Sequence, residues 1–390
     1  MAETFMSVGD IFIQRPDMSA IFGDTADYLA GADFLFGNLE GPVSARGEPI
    51  PGKAQLGSRW LRSSLPLTGV LGDIGFSAVT VANNHVMDFG AVALADTIEA
   101  CERAGVAVFG GGSTLAAATR PAVISKDGTT IASLGHTTVF PVSGYAATDT
   151  DPGLATINVS TAYQAPPQAF YQPGTPSITV TSIDPGDLRR FSADVTDARK
   201  AADLVVVQFH WGVAGYAYRL GYMRVLARCA IDAGADLIVG NHPHLLLGAE
   251  FYRGRLICYN LNHFAFDDPS PGWPGGHDAL ILTSTIENAR FTKHSLRPAV
   301  IDPASRNLRL ADPVRACEVA SLLTGLSAAF GTRFETEETL IIPAAPAEPP
   351  GEALTLESSA DLAPFLSEGI RLAGMQSRRD FPGAAPAEGR

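Results

Sequence analysis

Cysteine is scarce: four in 390 residues, Cys101, Cys229, Cys258 and Cys317, scattered with no CxxC spacing. They read as reduced core thiols, which points to a cytoplasmic protein rather than a disulfide scaffold. Marks of export are missing as well. Met1-Ala-Glu-Thr-Phe-Met-Ser-Val has no basic start and no long apolar run, so no signal peptide is expected. No uninterrupted apolar stretch is long enough to span a bilayer. Basic residues are few, 28 against 41 acidic, for a net charge of −13. With no lysine or arginine run, this argues against nucleic acid or anionic membrane as a partner. There is no internal repeat. Gly110-Gly-Gly112 is followed by no lysine at phosphate-loop spacing, which leaves it as a turn.

Apolar residues, by contrast, are plentiful at 46%, enough for a sizeable core. Apolar runs alternate with segments of helical spacing, which predicts an α/β architecture. Val92, Leu94, Ala95, Ile98 and Cys101 recur near a 3.6 period over Ala91–Ala104, with Gly105 as the stop. Further helices are expected at Ser192–Ala202, Met223–Ala233 and Val314–Phe330. Segments 275–282 and 290–294 alternate like strands of an antiparallel edge or second sheet. From 141 to 190 the chain loosens into Pro-, Gly-, Thr- and Tyr-rich sequence, the mark of an inserted lid or binding loop. One domain over 1–342 is expected, followed by a Pro/Ala-rich tail, 343–390, with one short helical segment at Leu362–Ala373.

Polar clusters directly follow the apolar runs. Asp10 closes the first, Asn38 and Glu40 the second, and Asn84, His85 and Asp88 the third. His210 with Trp211 follows a fourth, and Asn241, His242 and His244 a fifth. In such sheets the polar crevice forms beyond the carboxyl ends of the strands, so five runs would deliver their side chains to one rim. Pro243 is expected to hold His242 and His244 in extended chain, both imidazoles facing one way. His263 follows another apolar run, and His136 is a weaker candidate for the rim.

Imidazole, carboxylate and amide oxygen together suit borderline divalent metals. Asp10, Glu40, Asn84, His210, His242 and His244 are six plausible ligands, for one ion or two (Mn, Zn or Fe). A carboxylate can bridge a pair of ions, and such pairs polarise a substrate oxygen and activate water. His85 is free to act as general acid, with Asp88 orienting it. Asn38, Trp211, Asn241 and His263 are the candidates for touching substrate. His277 reads as structural.

Val8-Gly-Asp10, Gly37-Asn-Leu-Glu40, Ala82-Asn-Asn-His-Val-Met-Asp-Phe-Gly90, His210-Trp-Gly212 and His242-Pro-His244, in that order, resemble the CapA-type proteins of poly-γ-glutamate biosynthesis. These lie within the calcineurin-like metallophosphoesterase superfamily, and the resemblance covers roughly residues 5–330. It implies a four-layer αββα sandwich. It also implies one metal on Asp10 and His244, another on Asn84, His210 and His242, Glu40 between them, and His85 as acid. The chain departs from the superfamily at Phe12, where a metal-binding histidine is usual, at Glu40 in place of Asp, at Asn241 in place of His, and at His263 in the motif Asn262-His-Phe264. The expected activity is hydrolysis of an amide or ester, or a phosphoester, in a small-molecule or short peptide-like substrate. The alternative is a non-catalytic accessory of poly-γ-glutamate or capsule biosynthesis.

Overall fold

The computed structural model describes residues 2–18, 20–50, 53, 59–141, 144–267, 276–336 and 339–343. The first half of the chain runs β1 (Glu3–Phe12), α1 (Thr25–Leu29), β2 (Phe34–Leu39), α2 (Leu67–Ile74), β3 (Ala78–Thr80), α3 (Gly90–Arg103) and β4 (Ala107–Phe109). Then come β5 (Gly111–Gly112), α4 (Leu115–Ala118), β6 (Ala122–Lys126), β7 (Thr129–Thr137), β8 (Gly153–Leu154), β9 (Val159–Gln164) and β10 (Ile178–Ile183). The second half begins α5 (Pro185–Ala201), β11 (Leu204–His210), α6 (Gly221–Ala233), β12 (Leu237–Asn241), β13 (Ala249–Tyr252) and β14 (Arg255–Cys258). It closes with β15 (His263–Phe266), β16 (Asp278–Ile286), β17 (Phe291–Ile301), β18 (Leu308–Leu310), α7 (Pro313–Ser327), β19 (Glu335–Thr336) and β20 (Leu340–Ile342).

Strand alternation sorts the apolar residues onto opposite faces, and the layers follow from that sorting. On β1 and β2, Phe5, Phe34 and Phe36 join a core shared with Ile131 of β7, Leu204 and Val206 of β11, and Leu237 and Val239 of β12. Their neighbours Met6, Val8 and Leu35 point the other way, against Leu29, Leu71 and Leu94 of α1, α2 and α3. Val205, Val207 and Ile238 likewise turn outward onto Leu188 and Val195 of α5 and Leu226 and Ala230 of α6. Two sheets therefore face each other, one 10-stranded and one 6-stranded, each covered by helices outside. That is the expected four-layer αββα arrangement.

Central strands run parallel within each sheet. β1, β2, β3 and β4 pair in parallel in the first, and β7, β11, β12 and β14 in the second. β16 and β17 are antiparallel, the expected antiparallel edge, and continue the first sheet from β1. Parallel strands place their carboxyl ends on one side, which is where every polar cluster of the sequence sits.

Several boundaries differ from expectation. α5 starts at Pro185, seven residues before the predicted Ser192, because Asp184 caps it by accepting a bond from the Asp187 amide at 2.9 Å, with proline in the first turn. The loosened region 141–190 thus ends in helix, and it also holds an antiparallel hairpin, β9 with β10. α7 stops at Ser327 and continues as a 3-10 turn through Phe330. Gly111–Gly112 is a short strand against β8 rather than a turn. Cys317 is exposed on α7, unlike the other three cysteines, so it is no core thiol. The segment expected at Leu362–Ala373 lies outside the described residues. Among the described residues, no helix is long and apolar enough to cross a membrane.

Candidate metal centre

Register brings the polar residues together before any side chain is considered. Asp10 is opposite Asn38 on β2 and opposite His263 on β15, while His210 is opposite Asn241 on β12. Gly9 is what lets β15 approach: a Cβ there would stand 1.8 Å from the Asn262 carbonyl oxygen, which instead accepts from the Asp10 amide at 3.0 Å. Glu40 is tied to β1 by its own amide, 2.8 Å from the Ile11 carbonyl. After β3, Asn83 folds the turn that presents Asn84 and His85. Its Oδ1 accepts from the His85 and Val86 amides, and its Nδ2 donates to Asn38 Oδ1 and the Leu39 carbonyl.

His242 and His244 meet by a different route from the extended chain expected of them. Both have left-handed backbone, φ 98° and 56°, a region non-glycine residues avoid and active sites retain. A tight loop over Pro243 swings the two rings to 5.4 Å between centroids.

Two ligand groups result, and they share Glu40. Glu40, His210 and His242 offer atoms all within 4.8 Å of one another, and so do Asp10, Glu40 and His244. Asn84 joins the first group, its Oδ1 2.7 Å from His210 Nε2. Among the described residues, neither Glu40 carboxylate oxygen, both buried, has a hydrogen-bond partner, and its Oε1 lies 3.8 Å from His210 Nε2 and 3.9 Å from His85 Nε2. An ionised carboxylate so placed is costly unless a cation meets it. The residues therefore fit a divalent metal, in the division the sequence resemblance implies.

Electrostatics point the same way. Burial lifts the Asp10 carboxyl to about 7, against bonds from Asn38 and the His242 amide. Burial and the nearby Asp10 charge push Glu40 well above its ordinary value. Burial holds His242 down to about 3, and His210 and His244 well below the usual imidazole value. Burial thus penalises charge of either sign here, and leaves neutral imidazole lone pairs beside two carboxyls whose ionisation a bound cation would compensate.

A pH dependence follows. Buried His242 at about 3, and His263 and His294 at about 4, bind fewer protons folded than unfolded between those values and about 6.5. Stability therefore rises with pH across that window, by up to about 1.4 kcal/mol per group per pH unit. Asp10 works oppositely: its folded value of about 7 exceeds the unfolded one, so its contribution is full below about 4 and is lost towards 7. In calorimetry the chelator-treated protein should melt highest near pH 6–7 and fall on either side. Adding metal should remove only the alkaline fall.

His85 anchors a second network. Its Nδ1 donates to Asp88 Oδ2 at 2.8 Å. Asp88 also accepts from the Leu61 amide at 2.7 Å, the Tyr145 hydroxyl at 2.8 Å and the Lys53 ammonium. Lys53 Nζ donates besides to the Asn84 carbonyl at 2.7 Å and lies 2.9 Å from His85 Nδ1. Burial alone would raise the Asp88 carboxyl, but the bonds from His85 and Lys53 outweigh it and hold it below its ordinary value. Burial lowers both His85 and Lys53. Lys53, Tyr145 and Asn83 carried no signal of their own in the sequence.

The four expected substrate contacts are all buried. Trp211 is stacked on Phe209 at 4.6 Å and donates to the Tyr259 carbonyl at 2.9 Å, inside the core beneath α5 and α6. Parity explains this: His210 faces the opposite sheet, so its neighbour faces the helices. Trp211→Ala should accordingly cost about 3–5 kcal/mol of stability, read by denaturant melts, and leave any KM unchanged. Asn38 orients Asp10, donating to its Oδ1 at 2.7 Å. His263 stands behind His244, its Nε2 2.7 Å from His244 Nδ1 and its Nδ1 3.0 Å from the Gly276 carbonyl. Asn241 is fully buried between the sheets. His136 packs on Phe191 beneath α5 rather than at the rim, and burial takes it to about 3. The His277 carbonyl accepts from the Ile301 amide at 2.9 Å.

Residues 4–268 match the family described as bacterial capsule synthesis protein PGA_cap. The PGA biosynthesis protein CapA of Bacillus subtilis (strain 168) is 29% identical over 307 residues, which is 76% of this chain and 71% of that protein. The capsule biosynthesis protein CapA of Bacillus anthracis is 29% identical over 288 residues, 72% of this chain and 62% of its own length. A probable polyglutamine synthesis accessory protein of Mycobacterium tuberculosis is 30% identical over 229 residues, 58% of this chain and 52% of that protein.

Proposed function

The chain belongs to the bacterial capsule synthesis protein PGA_cap family, and on that basis we propose that it is a metal-dependent hydrolase of an amide, ester or phosphoester bond. The observation carrying this reading is Glu40, buried and, among the described residues, without a hydrogen-bond partner, in both sets of imidazole and carboxylate groups that could hold a metal. Asp10 and His244 would hold one ion, Asn84, His210 and His242 another, with Glu40 reaching both; Mn, Zn or Fe suits the donor set. When bound, such an ion supplies a Lewis acid for a substrate oxygen and activates water.

The chain's own residues manage the proton. His85 is neutral at physiological pH because burial depresses it, and its Nδ1–H is committed to Asp88. Its Nε2, on the Glu40 side, therefore holds a lone pair. Nε2 takes up a proton as the attacking water reacts, then returns it to the leaving group. The general-acid role expected of His85 is thus the second half of its cycle. Asn38 and His263 keep Asp10 and His244 aimed.

Purified protein, metal-loaded, would be assayed on phosphomonoester, phosphodiester, carboxylic ester and γ-glutamyl amide panels. Turnover of one panel, abolished by chelation, is expected. No turnover on any of them would end the catalytic reading. The names of the relatives support a role in capsule biosynthesis and favour a second reading, a non-catalytic accessory that handles polyglutamate. A net charge of −13 opposes binding of that polyanion, and a direct polyglutamate binding assay separates the two.

A further inference from the structure

We propose that the β9–β10 hairpin and the loop 211–218 together form a binding surface for an uncharged glycan, carried by the substrate of the adjoining metal centre. The proposal rests on the hydrolase reading only for that last clause.

The hairpin is an arm with little to pack against. Every residue of β9 is exposed or half-exposed, as is β10 up to Ser182, and two strands alone are marginal in water. Tyr163 is 75% exposed, and Phe170 and Tyr171 in the connection are 98% and 71% exposed. From residue 152 to 183 there is no Asp, Glu, Lys, Arg or His, in a chain that is 18% charged. The loop that follows His210 is also uncharged, Trp211 to Tyr218. It displays Tyr216 and Tyr218 edge to face at 5.4 Å, 52% and 37% exposed.

Three hydrogen bonds join these pieces, through α6, to each other and to the centre. Thr181 Oγ1 accepts from the Tyr222 amide of α6 at 3.2 Å, and the Tyr222 hydroxyl accepts from the Gly212 amide of the loop at 2.6 Å, which turns that face of the hairpin towards α6 and the base of the loop. Thr161 is opposite Thr181, and Tyr163 opposite Thr179. Residues opposite or two apart share a face, so Tyr163 looks the same way. Within the loop, the Gly215 amide donates to the Pro243 carbonyl at 2.9 Å, between the two ligand histidines. The surface is therefore continuous with the rim of the metal centre.

Its chemistry selects the occupant. Tyrosine offers a broad, rigid apolar face at low entropic cost, which suits the C–H face of a pyranose ring. On the same face as Tyr163, Thr161, Thr179 and Thr181 supply neutral donors and acceptors for sugar hydroxyls. A polyanion or an anionic lipid needs lysine or arginine, and this surface has neither.

The test uses the full chain on an array of neutral glycans, with titration calorimetry on the best ligand; poly-γ-glutamate and phosphatidylcholine vesicles serve as contrasts. At least one neutral glycan should bind with or without chelator, and Tyr163→Ala and Tyr218→Ala, both at exposed positions, should each weaken it roughly tenfold or more. The proposal is overturned if no array glycan binds, if both variants bind like wild type, or if polyglutamate or vesicles bind through these tyrosines instead. Loss of self-association in the variants, without any glycan binding, would also overturn it. Because binding is read without turnover, a failed hydrolase reading leaves this result intact, and the reverse holds too.

Discussion

Protein carrying Glu40→Gln is expected to purify with little divalent metal and, in chelator at pH 8, to melt above chelated wild type. Glutamine keeps the length and shape of the side chain and removes only its charge. A unit charge at 4 Å is worth about 4 kcal/mol at an effective dielectric of 20, so affinity should fall by about a thousandfold. Binding at either candidate group should be affected, since Glu40 belongs to both. The gain in metal-free stability has the opposite sign for the same reason. At pH 8 the unfolded wild-type chain carries Glu40 ionised, and folding without metal must either bury that charge or take up a proton against a value that burial pushes up; the amide meets neither cost. Elemental analysis by mass spectrometry and calorimetry read the two effects separately. Wild-type metal content, or a lower chelated melting point, would remove Glu40 from the centre.

Asp88→Asn should do the reverse: retain metal and lose turnover. Asp88 belongs to neither candidate ligand group, but it accepts the Nδ1 proton of His85. An amide can offer that ring a donor as readily as an acceptor, so the imidazole can present the wrong nitrogen to the substrate. General acid–base catalysis contributes about 10²–10⁴-fold, and kcat should drop by that factor with elemental content unchanged. The substitution also leaves Lys53 buried without its carboxylate, a loss of about 3–5 kcal/mol. Pairing it with Lys53→Met should recover much of the stability and none of the rate. Full activity in Asp88→Asn would show that His85 needs no orienting partner.

The residues of the candidate centre were legible because they follow apolar strands, and parallel strands end on one side. Asp10, Glu40, Asn84, His210, His242 and His244 all owe their recognition to that rule. What the rule does not carry is which way a residue beyond a strand turns. Trp211 was misread because its parity relative to His210 depends on which face of β11 meets the other sheet. His263 and Asn38 do reach the centre, but one rank back, a distinction set by register with β1. The paired left-handed angles of His242 and His244 follow from tertiary contacts around Pro243. Lys53 is one of four lysines in the chain, and nothing in its neighbourhood of glycine and proline announces a partner 35 residues away at Asp88.

Asp10, Glu40 and Asn84 hang from one sheet, while His210, His242 and His244 hang from the other. An ion held by both sets is a rivet through two slabs. With it gone, the slabs are fastened at this end by a few polar bonds, His263 to His244 and the His242 amide to Asp10 among them, and elsewhere by the apolar layer between them, which resists separation more than sliding. Amide hydrogen exchange after chelation should consequently quicken at the carboxyl ends of β1 and β11 together, while their opposite ends keep their protection.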